Sequence, residues 1–533
     1  MPEAAVLVAG AGPVGLVVAH ELARRGVRVR VVDAAPGPAT TSRAMATHAR
    51  TLELFDQIGL AERLLPLGRK VEHFSVHQRG RRLVRFDTNY DALPTRFPFS
   101  LMVDQVLTER VLREGVAGQG VDIEWSVAVA GLEQDADGVT VRLRHGHGGL
   151  ETVRVPWLVG ADGGRSVVRK SLGLRLSGDS TQTWLNADVV VDVDLPPNSN
   201  HLVHTGAGAL LLVPFPEPGK WRVIDTVDHE GDAETVRARI EAKLTGALRK
   251  PVSVSAPTWV SVFTVQQRMI ERMRVGRCFV AGDAAHVHSP ASGQGMNTGL
   301  QDGINLAWKL ADVVRGHATE TLLDTYGAER VPIGATLLRS TRTATALVAL
   351  RDTLAPVLLP LGLGVVSRVR PLKRKIEGKI VRGFCGLGLN YRDSPLSTVA
   401  TGSGWQPGDR VGCTEKDVAE SPGWRALLAQ LRDPRWTLLH FAGPSVVPLS
   451  VPDTAVALRT VLGASSTGDH PAPLPDPDGR LHRAFGGTPG SYALIRPDGY
   501  LAARGPADTL PATLRRVGLP ADPVRPGVHS DAG

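Results

Sequence analysis

"AAVLVAGAGPVGLVVAHELARRGVRVRVVD", residues 4–33, decides the fold. Val6, Leu7 and Val8 form the short apolar run that a buried parallel strand needs. Gly10-x-Gly12-x-x-Gly15 follows at once. Leu16, Ala19, His20, Leu22 and Ala23 then keep a helical face, Arg24 and Arg25 occupy the last turn, and Gly26 stops it. A second strand closes on Asp33, about eighteen residues beyond the last glycine. In that order these parts make a dinucleotide-binding unit, with a tight turn, a pyrophosphate on the helix N-terminus and a carboxylate on a ribose hydroxyl. Gly10, Gly12, Gly15 and Asp33 are therefore cofactor-binding candidates, but the unit does not separate NAD from FAD.

Two later stretches separate them. "CFVAGDAAHVHSPASGQGMNTGLQDGINLAWKL" (278–310) reads as strand, glycine loop and amphipathic helix. Asp283 follows the strand and Gly282, where a carboxylate can accept hydrogen bonds from ribityl hydroxyls. Gly293, Gly295, Met296 and Asn297 place successive N–H groups at a helix start, suited to the electron-rich O2 side of an isoalloxazine ring. One long ligand, FAD held non-covalently, answers both loops. "WLVGADGGRSVVRKSLG" (157–173) adds a third turn with Asp162, a further cofactor-binding candidate, beside Arg165 and Arg169; taken alone it also fits a well-capped strand-to-helix corner.

The chain resembles the FAD-dependent aromatic hydroxylases of the para-hydroxybenzoate hydroxylase fold, and more closely the subgroup that oxidises aromatic polyketides in bacterial antibiotic pathways. "GAGPVG", "GADGGRSVVR" and "GRCFVAGDAAHVHSPASGQGMNTGLQDGINLAWKLA" carry the likeness in that order. "PGDRVG" (407–412) and "LIRPDGYLAARG" (494–505) extend it to a C-terminal thioredoxin-like domain, here without CxxC, which leaves that domain a packing or dimerisation role. The resemblance implies an FAD contact for Arg43, a place beside the flavin ring for Arg50, the residue expected to be catalytic, and a ribityl or phosphate contact for Gln105. Ala34, Met273, Ser289 and Ser292 depart from the family's usual residues; the last two sit over the cavity roof.

The implied architecture is α/β: a Rossmann-like FAD-binding domain (1–175 and 276–393), a β-sheet substrate domain (176–275, with about 70–104 contributing) and the thioredoxin-like domain (394–533). Strand-like segments at 184–195, 209–227 and 257–265 supply a sheet over the flavin, with Trp184, Leu211, Val213, Phe215, Trp221 and Pro290 as candidate cavity wall. Residues 305–390 read as helices returning to the FAD domain, and 394–409, polar and rich in Gly and Pro, as the linker.

Net charge is +8 over 533 residues, without a Lys/Arg run interleaved with aromatics, so nucleic acid is a poor partner. The longest apolar stretch, 354–366, is short for a bilayer and contains prolines, and the N-terminus has no basic leader; a cytoplasmic protein without membrane contact is expected. Cys278, Cys385 and Cys413 are isolated, and His286 and His288 lack a third ligand at metal spacing, so no metal is expected. A stable nicotinamide domain needs a second GxGxxG, which is absent, so NAD(P)H is expected to visit transiently; the resemblance implies NADPH as that reductant and O2 as co-substrate. By the resemblance, a C4a-(hydro)peroxyflavin would then hydroxylate an electron-rich ring of an aromatic polyketide. Baeyer–Villiger attack on a ketone and a non-oxygenating FAD protein are the alternatives.

Overall fold

The computed structural model describes residues 4–520 except 43, 89, 91–92, 207, 228–229, 289–292, 349–354, 401, 443–448, 450, 465–469 and 471; the side chains at 181–182, 340–348, 355–359 and 361 are also not described. Arg43, Ser289, Pro290 and Ser292 thus lie outside the described residues.

The N-terminal fingerprint forms as read. The strand Val6–Ala9 is wholly buried, helix Pro13–Arg24 starts on a proline at its first position, and the strand Val29–Asp33 runs parallel to the first. Strands 274–275, 278–280, 157–160, 6–9, 29–33 and 123–125 lie side by side in that order. All pairs are parallel except the outermost 274–275. Their carboxyl ends carry the loops that begin at Gly10, Ala161 and Ala281, so three distant glycine turns meet along one edge, where open α/β sheets hold ligands.

Helix Gly295–Val314 lies across helix Pro13–Arg24 at very short range. A Cβ at Gly299 would stand 2.7 Å from Val14 Cγ2, and one at Gly303 would stand 2.7 Å from Val17 Cγ1. These glycines therefore serve helix crossing, which brings two helix N-termini to the same edge.

A nine-stranded sheet covers that edge. Its main path runs 286–287, 259–269, 177–192, 220–225, 209–214, 199–204, 73–78 and 81–87. One face packs beneath helix Ala233–Leu248 through Val203, Leu212, Trp221 and Val223; the other faces the first sheet. The hairpin 73–87 joins it by the parallel pairing of 73–78 with 199–204. Helices Ala355–Arg368 and Arg370–Phe384 do two things. Leu363, Ile376 and Ile380 pack on the sheet's cavity side and roof it, while Val381, Cys385 and Leu387 join the core of the FAD-binding unit, so the segment roofs the cavity on its way back to that unit.

The last five strands form a separate sheet in the order 473–475, 456–462, 436–441, 491–495, 501–506, with the first three parallel and the last two antiparallel, the expected thioredoxin-like arrangement. The stretch read as a linker is pinned down. Ser394 Oγ donates to Glu329 at 2.6 Å, Ser397 Oγ donates to the Tyr391 carbonyl at 2.6 Å, and Leu396 is buried. Its glycines (Gly402, Gly404 and Gly408) sit at positive φ and make turns, not slack. All three cysteines are buried thiols. Among the described residues no helix is long and apolar enough to cross a membrane.

Candidate active site

A cavity of about 1370 Å³ runs without a break from the glycine edge to the nine-stranded sheet. At one end are Gly12, Pro13, Gln105, Asp283, Gly295 and Met296; at the other are Val76, Leu202, Leu211, Val213, Ile224 and Ile376.

The first end fits FAD. Gly12 is extended and offers no side-chain cap to helix Pro13–Arg24, and Gln294 likewise leaves helix Gly295–Val314 uncapped. Both first turns therefore keep N–H groups and a positive helix end for an anion or an electron-rich ring edge. The three fingerprint glycines do different work. A Cβ on Gly10 would meet the Ala161 carbonyl oxygen at 2.3 Å, and one on Gly15 would meet the Gly10 oxygen at 1.8 Å, so both are demanded by packing. A Cβ on Gly12 would meet nothing within 4 Å; it faces the open cradle a pyrophosphate would fill.

Asp33 braces the loop, accepting from Ala11 N at 2.6 Å and Ala35 N at 2.7 Å, and each oxygen keeps a lone pair for a ribose hydroxyl. Gln105 lines the cavity and accepts from Ala44 N at 3.1 Å. Asp283 lines it too, on the short turn Gly282–Ala284. Beneath that turn His286 Nε2 donates to Asp302 at 2.6 Å, Arg330 Nε does the same at 2.6 Å, and Gly282 N donates at 3.2 Å. Burial opposes charge on His286, but Asp302 outweighs it and raises the imidazole pKa. Burial likewise opposes charge on Asp302, and Arg330 and His286 outweigh it and hold the carboxyl low. His286 is thus part of a buried ion triad.

Asn297 clamps the loop opposite. Its oxygen accepts from His48 N at 2.8 Å, and its amide donates to the Ala46 carbonyl at 2.7 Å and the Gly293 carbonyl at 2.8 Å. Its side chain is thereby spent on shaping the cradle, while Gly293, Gly295 and Met296 line the cavity. His48 also lines it, with Nδ1 at 2.8 Å from Ser100 Oγ.

Several expectations need correction. Arg50 is 1% exposed and turned away from the cavity, donating to Glu53 at 3.0 Å and to the Asp498 carbonyl at 2.6 Å, with its guanidinium 4.7 Å from the Tyr500 ring centre. Asp162 does not line the cavity. It accepts from Ser166 Oγ, from Val167 N at 2.7 Å and from Val168 N at 3.2 Å, and so caps helix Val167–Ser171; Gly163 and Arg165 take the cavity side. Of the wall residues, Leu211 and Val213 stand where expected. Trp184 shares their face but lies beneath it, edge-on to Phe263 with centroids 6.4 Å apart. Trp221 alternates with the cavity-facing Arg222 and so points to the opposite face. Phe215 follows the end of strand Ala209–Pro214, where alternation stops, and is enclosed instead by Lys220 and Arg222.

The sequence reading missed Asn186, Asn200, His204 and Arg222 on the wall. Their signal was available: each shares the alternation of an apolar strand and interrupts its apolar side. Arg222 is held by Asp188 through bonds of 2.7 and 2.8 Å and donates to the Ser42 carbonyl at 3.1 Å, tying the sheet to the cofactor loop.

The comparisons agree with this geometry. The model of a family described as FAD binding domain matches residues 3–341. A 6-methylpretetramide 4-monooxygenase of Streptomyces rimosus is 61% identical over 99% of this chain and 96% of its own. The anhydrotetracycline hydroxylase OxyS of Streptomyces rimosus superposes with a TM-score of 0.73 at 31% identity, covering 97% of this chain and 99% of its own. The flavin-dependent monooxygenase PieE, solved with FAD and substrate, superposes with a TM-score of 0.80 at 25% identity over 97% and 99%. The glycine edge, the sheet facing it and the C-terminal unit are thus shared along the whole length, and the chain belongs to the FAD-binding-domain family, as an FAD-dependent aromatic monooxygenase.

Proposed function

We propose that the protein hydroxylates one ring of a tetracyclic phenolic polyketide of the 6-methylpretetramide type, using NADPH and O2. The observation that carries this reading is the 61% identity to the 6-methylpretetramide 4-monooxygenase over nearly the full length of both chains. The cavity supports it, being large and walled by Leu202, Leu211, Val76 and Ile224, the lining a flat multi-ring molecule requires.

FAD, when bound, supplies the activation of O2 and the transfer of one oxygen atom. The chain's own residues do the rest. Gly12 and the N-terminus of helix Pro13–Arg24 hold the pyrophosphate, Asp33 and Gln105 the adenosine and ribityl portions, and Asp283 the ribityl hydroxyls. The N-terminus of helix Gly295–Val314 aims its positive end at the ring edge where negative charge develops. Arg165, exposed at the rim, is placed to meet the reductant's phosphates. The roof formed by Ile376 and Ile380 keeps water from the reacting ring. The three segments 1–175 with 276–393, 176–275 and 394–533 serve as cofactor, substrate and buttressing units, with 355–384 serving the substrate side. A homodimer is part of this reading.

The test is turnover of 6-methylpretetramide by the purified holoenzyme with NADPH under 18O2. A product with one labelled oxygen and an intact ring system is expected. A hydrolysable lactone, or NADPH oxidation that does not respond to the polyketide, overturns the reading.

A further inference from the structure

Polar residues interrupt the sheet wall, among them Arg222, committed to Asp188 and Ser42, and His204, Ser261 and Gln266. Two more carry a buried oxygen without a partner. Asn186 is 6% exposed and lines the cavity with its carboxamide oxygen buried and unpaired. Asn200, half-buried, also lines it with its oxygen buried and unpaired. Asn186 stands between Ile224 and Ser261 in register, and Asn200 beside Phe74.

A buried acceptor without a donor is destabilising, and an apolar residue of the same shape would remove the penalty. Two such acceptors on residues that line one cavity therefore point to donors that arrive with a ligand. Their spacing adds a constraint. Asn186 lies on strand Ser177–Asp192 and Asn200 on strand Ser199–His204, with strands 220–225 and 209–214 between them. Three strand intervals and a two-residue offset along the strand put their backbones roughly 16 Å apart. The ligand that satisfies both is long, flat, apolar along its middle and carries O–H or N–H donors towards its two ends.

We infer that Asn186 and Asn200 are specificity-determining residues: each accepts a hydrogen bond from a hydroxyl or carboxamide donor near one end of the polycyclic phenolic substrate, and together they fix which ring edge faces the flavin. The inference rests on the proposed hydroxylase reading and names how that site orients its substrate.

The test uses wild type, Asn186→Leu and Asn200→Leu, with 6-methylpretetramide as the probe, followed by flavin absorbance on titration, by KM and by the position of the new oxygen. Each substitution should leave the flavin spectrum intact, leave the ligand-free melting temperature equal or higher, raise KM and the probe's Kd roughly tenfold to a hundredfold, the scale of one lost hydrogen bond to a buried partner, and scatter the site of hydroxylation. Unchanged Kd, KM and product position in both variants overturn the inference while leaving the hydroxylase reading standing. Wild type that binds the probe without oxidising it overturns the hydroxylase reading, and the Kd shifts of the variants still decide the pair. A lower ligand-free melting temperature with unchanged Kd shows the amides to be structural and overturns the inference. Should Asn186→Leu lose FAD altogether, Asn200→Leu, on a less buried site, decides.

Discussion

The Arg50 guanidinium donates a 2.6 Å hydrogen bond to the main-chain carbonyl of Asp498, 448 positions later, across the seam between the cofactor unit and the C-terminal sheet. The same side chain pairs with Glu53, which also takes Arg410 at 2.7 Å. Arg50→Ala removes one member of this buried cluster and should cost about 2–4 kcal/mol of stability. Coupled turnover per bound FAD should stay within about threefold of wild type. Denaturant unfolding and product assays on flavin-loaded protein check both; a large loss of coupling with unchanged stability would return Arg50 to the flavin.

Gly12 and Gly15 should fail in different ways. Gly12→Val puts a side chain into the open cradle and should give folded but colourless protein. Gly15→Ala puts a carbon against the Gly10 carbonyl and should give little soluble protein at all. Circular dichroism and the flavin absorbance band distinguish them; yellow Gly12→Val protein would remove the pyrophosphate from this loop.

Asp283 and Asn297 make a second contrast. Asp283→Ala should weaken FAD by about 1–3 kcal/mol, the loss of a hydrogen-bonding carboxylate, and leave the apoprotein's melting temperature unchanged. Asn297→Ala breaks three bonds within the protein, at 2.7–2.8 Å, and should weaken FAD and lower the apoprotein's melting temperature together. FAD titrations and melts of the apoproteins read out both effects.

Acid should destabilise the far face of the large sheet. Burial, with His201 and Arg82 nearby, pushes the His77 pKa down to about 4. His77 Nε2 lies 3.0 Å from His201 Nδ1, whose ring is bonded through Nε2 to the Pro196 carbonyl at 2.9 Å and is itself shifted down by burial. Below the ordinary value near 6.5 the unfolded chain takes up the proton first, so this contribution is complete above about pH 6.5 and is lost as pH falls towards 4. The loss is on the order of 1–3 kcal/mol after solvent screening. Urea midpoints at pH 7 and pH 5 should differ less in His77→Asn than in wild type; equal differences would show that His77 stays unperturbed.

What the sequence made legible followed from locality. Strand, glycine loop, helix and acid lie within thirty residues and share one physical reason, and Leu211 and Val213 came from strict alternation on one strand. Arg50 was misread because its helix, Ala49–Gln57, was placed correctly while its partner came from a distant turn; His48, two residues earlier and one helical face away, takes the cavity side. Asp162 reads as a ligand carboxylate until the short helix it caps is seen. Trp184 has the right face and the wrong depth, and depth is set by Phe263 on a neighbouring strand. Asn186 and Asn200 were passed over since polar residues in apolar strands look like edges until the sheet shows both in its interior.

The charged knot at the seam sets rules for recombining such enzymes. Glu329 is wholly buried and receives Arg496 at 2.7 and 2.9 Å, Lys309 at 2.7 Å, Asn305 at 2.8 Å and Ser394 at 2.6 Å, while Arg496 also binds Asp498. A chimera spliced near residue 400 that imports a foreign C-terminal sheet without the Arg496–Asp498 turn would strand Glu329 beside Lys309, and losing one side of such a cluster costs about 3–5 kcal/mol. Crossovers between relatives should therefore carry residues 305–330 and 391–500 as one inherited block, leaving the sheet that faces the substrate free to be exchanged.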